Sequence, residues 1–155
     1  MELHAATFGE LDVTTLYALL RLRVDVFVVE QHCAYAELDG RDAEPDATHL
    51  WLTADGDPTP VAYLRILSEP DGSAQIGRVA VAPVARGAGL ARRLMEAALS
   101  RVGGRACILD AQAHLAEFYR GLGFAVAGPE FLEDGIPHVP MRRARGLVAD
   151  HSPHH

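Results

Sequence analysis

Apolar residues in this chain recur at two spacings, and the switches between them mark out its elements. Leu16, Leu19, Leu20, Val24 and Phe27 fall at three- and four-residue steps, so the stretch from Val13 to about Val28 predicts an amphipathic helix with Asp12 placed to cap it. A second helix is predicted over Gly87 to Val102, where Leu90, Leu94, Ala97, Ala98 and Leu99 share a face and Gly103-Gly104 supplies the stop. His114 to Leu122, closed by Gly123, predicts a third. Between the helices lie short runs rich in β-branched and aromatic residues: Leu3 to Phe8, His49 to Ala54, Val61 to Leu67, Gln75 to Val81 and Ala106 to Ala111. Asp55-Gly56-Asp57-Pro58 and Pro70-Asp71-Gly72 are turn signals, so the second, third and fourth of these runs predict an antiparallel meander. Phe124 to Ala127 and Ile136 to Arg142 predict a closing pair of strands. The order of elements describes one α/β domain with a mixed sheet over residues 1–145, followed by a frayed tail over 146–155.

One stretch breaks the pattern. Glu30 to Asp46 is polar, rich in turn residues, and holds at most a short helix around Tyr35, and a loop of that length invites a functional reading. At 155 residues, 49% hydrophobic and 23% charged, the chain has the size and composition of a globular domain with its own core. No run approaches the ~18 apolar residues of a membrane span. The first residues lack a secretion signal, and Cys33 and Cys107 make no disulfide framework, so a reduced, cytoplasmic protein is expected.

Charge narrows the chemistry. All fourteen basic residues are arginine, which removes Schiff-base catalysis, a lysine base and a Walker phosphate lysine from consideration. Residues 1–75 carry 14 acidic and 4 arginine residues, whereas residues 76–155 carry 7 acidic and 10 arginine residues. An anionic ligand is therefore expected in the second half and a cationic one in the first; with a net charge of −7, nucleic acid is not an expected partner. No spacing of His, Cys, Asp and Glu suggests a metal set, and the histidines of the tail would chelate only weakly.

The most informative segment is Arg78-Val79-Ala80-Val81-Ala82-Pro83-Val84-Ala85-Arg86-Gly87-Ala88-Gly89-Leu90-Ala91. A strand runs into a glycine loop that opens a long helix, so consecutive backbone N–H groups can approach an anion along the helix dipole. The glycine pattern alone is weak, and a simple tight turn before a helix is its commoner explanation. With its neighbours, Val-Ala-Val-x-Pro-x-x-Arg-Gly-x-Gly-Leu-Ala resembles motif A of the GNAT superfamily of acetyl-CoA-dependent N-acetyltransferases, and Phe118-Tyr119-Arg120-Gly121-Leu122-Gly123-Phe124 resembles its motif B. Three further segments resemble the ElaA-like branch: Val26 to Gly40, Ala111 to Leu115, and Glu133 to His138. The resemblance spans about residues 3 to 143. Val84 departs from it, standing where many members place Gln or Arg.

The resemblance implies a mixed, mostly antiparallel sheet whose fourth strand is bulged and splays from the fifth, leaving a slot for pantetheine. It implies donor contacts from Val79, Ala80, Val81, Arg86, Gly87, Ala88, Gly89, Leu90, Ala91, Gln112 and Tyr119, with an oxyanion donor near Val81. Tyr119 is implied as the acid that protonates the leaving thiolate, against a packing role beside Phe118 and Phe124. Gln75 stands where some members hold a catalytic glutamate and cannot take a proton, so the base stays open among His49, Glu30, Glu133 and His138. Glu30, Cys33, Asp39 and His138 are the candidates for binding the acceptor, a small-molecule or peptide amine expected to be cationic; no membrane partner is expected, and a homodimer stays open. The acidic residues of Glu37 to Asp46 are expected to draw that amine in. A non-catalytic acyl-CoA-binding or regulatory module is the second reading of the same motifs.

Overall fold

A computed structural model describes residues 1–32 and 36–146. Strand β1 (Glu2–Thr7) leads to helix α1 (Val13–Arg23), whose N-terminus is closed as expected, Asp12 Oδ1 accepting from the Thr15 N–H at 2.7 Å. The meander follows as β2 (Thr48–Thr53), β3 (Pro60–Ser68) and β4 (Ala74–Val81). Next come helix α2 (Leu90–Val102), β5 (Cys107–Gln112), the short helix α3 (Ala116–Arg120), and strands β6 (Ala125–Val126), β7 (Phe131–Glu133) and β8 (Ile136–Arg143).

Hydrogen-bonded neighbours run β1-β2-β3-β4-β5-β8-β6, with β7 paired to β8. All pairings are antiparallel except β4 with β5, which is parallel. That parallel pair is joined only at Ala74 with Cys107 and Gln75 with Ile108; beyond Gln75 the two strands part. This is the splayed mixed sheet that the sequence resemblance implies. α2 and α3 pack on one face around Leu64, Ile76, Leu94, Met95, Leu99 and Leu109. α1 covers the other through Leu19, Leu22, Val26, Trp51, Tyr63 and Ala80.

Three departures from the expected elements have physical causes. The first helix does not run on as α-helix to Val28: from Val24 to Glu30 the backbone widens into a π-helical turn, over a run holding Val24, Val26, Val28 and Val29. β-branched side chains crowd the preceding turn of an α-helix, and the wider spiral still keeps Val26 in the core. The helix expected from His114 to Leu122 opens instead with a 3-10 turn over Ala113–Leu115, leaving α3 only five residues long. Strand β7 adds to the expected elements; Asp134 (φ 49°) and Gly135 (φ 76°) make the two-residue turn that folds it onto β8.

The bulge is in β4. Tyr63 pairs with Ala80 and Arg65 with Gly77, so Leu64 faces both Arg78 and Val79. Arg78 adopts φ 55°, and the extra residue resets the alternation of the strand. Ile76 and Val79 both reach the α2 side, while the Arg78 side chain is turned back toward the α1 side, where it meets Glu37.

Candidate active site

Where β4 leaves β5, the edge of its second half has no strand beside it, and a cleft of about 300 Å³ passes between them. Val79 lines this cleft, as do Leu109, Asp110 and Gln112 from β5 and Tyr119 from α3. Tyr119 is 6% exposed, stands edge-on to Phe118 and Phe124, and burial pushes its phenol up to about 12.

β4 runs directly into the glycine loop. Gly87 (φ 85°) and Gly89 (φ 74°) take left-handed backbone that other residues rarely adopt, and a Cβ at either would meet no atom within 4 Å. Gly89 begins α2 without any side-chain cap, and Arg93 N–H to Gly89 O at 3.1 Å is the first backbone bond of the helix. The N–H groups ahead of it, Leu90 and Ala91 included, have no partner within the helix. An open, uncapped N-terminus of a 13-residue helix suits a phosphate.

Arg86 is held by the protein itself. Its Nε donates to Val81 O at 3.1 Å, and its two terminal nitrogens grip Glu30 at 2.5 and 2.6 Å. Glu30, expected at the acceptor, and Arg86, expected on the donor, therefore hold each other, tying the π-helical turn to the glycine loop. Val84, the departure from the motif, is 94% exposed beside them.

On the α1 side the cleft meets a buried ionic cluster. Arg23, 1% exposed, donates to Glu37 at 2.7 Å and to Asp42 at 2.7 Å. Arg65 donates to Asp42 at 3.0 Å and to Asp39 at 3.0 and 2.5 Å. Arg78 reaches Glu37 at 3.0 Å, and Arg41 spans Glu44, Glu69 and Gln75. Burial alone would raise the carboxyls of Asp39 and Asp42, but hydrogen bonds from Arg65 and Arg23 override it and hold both below the usual range. The acidic loop is thus no free attractor for a cation: four of its five carboxylates are spoken for by arginines, three of them from other elements. Asp39 lines the cleft, but as part of this cluster.

His49 is corrected in the same way. It is 2% exposed, is not among the residues that line the cleft, and has both ring nitrogens engaged, Nδ1 with the Tyr63 hydroxyl at 2.5 Å and Nε2 with Asp42 O at 3.0 Å. Burial, the largest influence, holds its imidazole below the usual value, so it serves as a neutral brace.

The opposite wall is different. Glu133, Asp134 and His138 line the cleft with Asp110, and none of these carboxylates pairs with an arginine among the described residues. Glu133 Oε2 lies 3.6 Å from His138 Nε2. Gln112 donates to Gln31 Oε1 at 3.2 Å, bridging β5 to the end of the π-helical turn. Burial raises the Asp110 carboxyl, with His138 acting weakly against it. Cys33 and the segment around Tyr35 lie outside the described residues. Asp110 escaped sequence reading although its signal was present: Cys107, Leu109 and Ala111 alternate into the core, which turns Asp110 and Gln112 the other way.

A family model described as "Acetyltransferase (GNAT) domain" matches residues 15–145. The chain belongs to the GNAT acetyltransferase family. It is 51% identical over 138 residues to a UPF0039 protein of Mycobacterium tuberculosis, covering 86% of this chain and 87% of that one. Protein ElaA of Escherichia coli is 43% identical over 143 residues, covering 87% and 91%. Among solved structures, an acyl-CoA N-acyltransferase from Pseudomonas aeruginosa superposes with a TM-score of 0.86 at 43% identity, over 92% of this chain and 99% of that one. E. coli ElaA superposes at 0.85 with 39% identity, over 92% and 98%. As a GNAT enzyme the chain is an acyltransferase that draws on an acyl-CoA, and among its described residues no helix is long and apolar enough to cross a membrane.

Proposed function

We propose that this GNAT enzyme moves an acetyl group from acetyl-CoA to a primary amine of a small molecule or peptide by direct attack. The observation that carries the reading is the parting of β4 from β5, which opens one cleft with Val79 and Tyr119 on its walls, while β4 itself runs on through the glycine loop to the uncapped α2 N-terminus. The residues present fit the donor. Gly87, Ala88, Gly89, Leu90 and Ala91 offer N–H groups to a pyrophosphate, and the edge of β4 over Val79, Ala80 and Val81, where among the described residues no strand pairs and only the Val81 carbonyl is taken, by Arg86, suits the amides of pantetheine, with Gln112 on the facing strand. Bound there, acetyl-CoA supplies an activated thioester carbonyl.

The chain's own groups do the rest. A β4 N–H near Val81 faces the developing oxyanion, a contribution of about 3 kcal/mol for one such donor elsewhere. Tyr119 keeps its proton at every physiological pH, since burial pushes the phenol up to about 12. A phenol that weak protonates a thiol sulfur only as the carbon–sulfur bond breaks, and regains a proton from the newly acylated nitrogen. Asp110, Glu133 and Asp134, with no arginine against them, favour an acceptor that arrives as an ammonium.

Calorimetry with CoA and acetyl-CoA, followed by free-thiol release over a panel of amines, tests the reading. Binding without release across the panel would instead indicate a module that only holds acyl-CoA. Tyr119→Phe is expected to lower kcat about 100-fold while leaving acetyl-CoA affinity within about twofold, because only the acidic hydroxyl is removed. An unchanged rate would leave Tyr119 as a packing residue between Phe118 and Phe124.

A further inference from the structure

We infer that His138 is the general base of this site, accepting the acceptor's proton at Nε2, and that Glu133 positions and stabilises it. The inference rests on the reading that the chain acylates an amine. His138 Nδ1 lies 2.8 Å from Ile136 O. A carbonyl only accepts, so Nδ1 carries the hydrogen and the lone pair of the neutral ring sits on Nε2. Glu133 Oε2, at 3.6 Å, is too far to be a hydrogen-bond partner of that nitrogen yet close enough to stabilise a positive ring. Phe131 stacks on the imidazole at 5.7 Å and 24°, fixing its plane, and the residue is 8% exposed. The ring thus has a set tautomer, a set orientation and an unused lone pair, in the same cleft as Tyr119.

No other base candidate keeps that combination. His49 has both nitrogens engaged, Glu30 is held by Arg86, and Glu133, 3.6 Å from Nε2, is assigned to the ring rather than to the acceptor. The charged groups that line the cleft with His138 are Glu133 from β7, Asp134 from the turn and Asp110 from β5. Arg142 shares its face of β8 but lies four residues along the strand, opposite Ile108.

The proton balance closes. Nε2 takes one proton from the acceptor's ammonium and passes it to solvent, leaving a nitrogen lone pair. That nitrogen bonds to the thioester carbonyl carbon as the carbon–sulfur bond breaks. The sulfur takes the Tyr119 proton, and the phenolate recovers one from the nitrogen, giving an amide, a free thiol and one released proton.

The test is the pH dependence of kcat/KM with acetyl-CoA and, as acceptors, lysine, spermidine and an alanyl tripeptide. The wild-type profile should fall on its acid side as Nε2 becomes protonated. His138→Gln should lose about 100-fold or more at neutral pH and lose that acid limb, with acetyl-CoA affinity and thermal midpoint unchanged. In His138→Ala, added imidazole should restore rate in proportion to its free-base concentration. Glu133→Gln removes a negative charge 3.6 Å from the ring and should displace the acid limb to lower pH. A His138→Gln rate within threefold of wild type, or one that keeps the limb, overturns the assignment; if that variant does not fold, an undisplaced limb in Glu133→Gln does so. Acetyl-CoA binding with no thiol release from wild type on any of the three amines overturns the amine-acylation reading itself, and the base with it.

Discussion

Gly89→Glu is expected to weaken CoA and acetyl-CoA binding by at least about 100-fold, or about 2.7 kcal/mol, while the protein stays folded. Two effects act on the ligand together. The new side chain enters the space where a Cβ now meets nothing within 4 Å, and its carboxylate opposes the pyrophosphate. The fold is protected by a partial offset: left-handed backbone at φ 74° costs a non-glycine residue roughly 1–3 kcal/mol, but a carboxylate at a helix N-terminus returns roughly 0.3–1 kcal/mol. Gly87→Glu, at φ 85° and before the helix begins, lacks that offset and should lose both affinity and some stability. Calorimetric titration with CoA beside a thermal melt separates the two. Affinity retained within threefold in Gly89→Glu would remove the phosphate assignment.

Asp42→Ala should produce the largest loss of stability, about 3–5 kcal/mol out of the 5–15 kcal/mol typical of a domain, read from urea unfolding. Asp42 is 8% exposed and accepts from both Arg23 and Arg65 at 2.7 and 3.0 Å. Its removal leaves two buried guanidinium groups short of a counter-charge, one of which, Arg65, already has its Nε without a hydrogen-bond partner. The same cluster sets the response to acid. Asp39 and Asp42 ionise more readily in the folded state than in the unfolded one, so they add stability at neutral pH. That stability is given up as pH falls below about 4, where unfolded carboxyls take protons first. Asp42→Ala should flatten this acid-side decline. A loss below about 1 kcal/mol with an unchanged acid profile would mean that the cluster is solvated and energetically neutral.

The fold was largely legible because its signals are local. Asp12 caps α1, Gly103 ends α2, and the meander turns carry their own glycines, so each element can be read from a window of a dozen residues. The glycine loop was legible for the same reason. What was hidden depends on residues far apart in sequence. Arg23 looks like a surface residue in the last turn of a helix until Glu37 and Asp42 are brought to it. The acidic residues of 37–46 suggest a field for a cation, but four of them are paired with Arg23, Arg41, Arg65 and, from the other half, Arg78. The bulge at Arg78 follows from the family resemblance alone, since an alternation that simply resets leaves no trace of it. Glu30 and Arg86, 56 residues apart, each suggest a ligand contact, and nothing in the sequence says that they also hold each other.

Anyone wishing to redirect this enzyme to another acceptor by transplanting the 36–46 segment from a relative would face a constraint set by the ionic cluster. That segment is not a detachable module: its carboxylates are the counter-charges for arginines rooted in α1, β3 and β4. A graft that changes Glu37, Asp39 or Asp42 without changing Arg23, Arg65 and Arg78 together would strand cations in the interior. The opposite wall, from Asp110 to the Asp134-Gly135 turn, carries no such debt, and acceptor preference should be far easier to retune from that side.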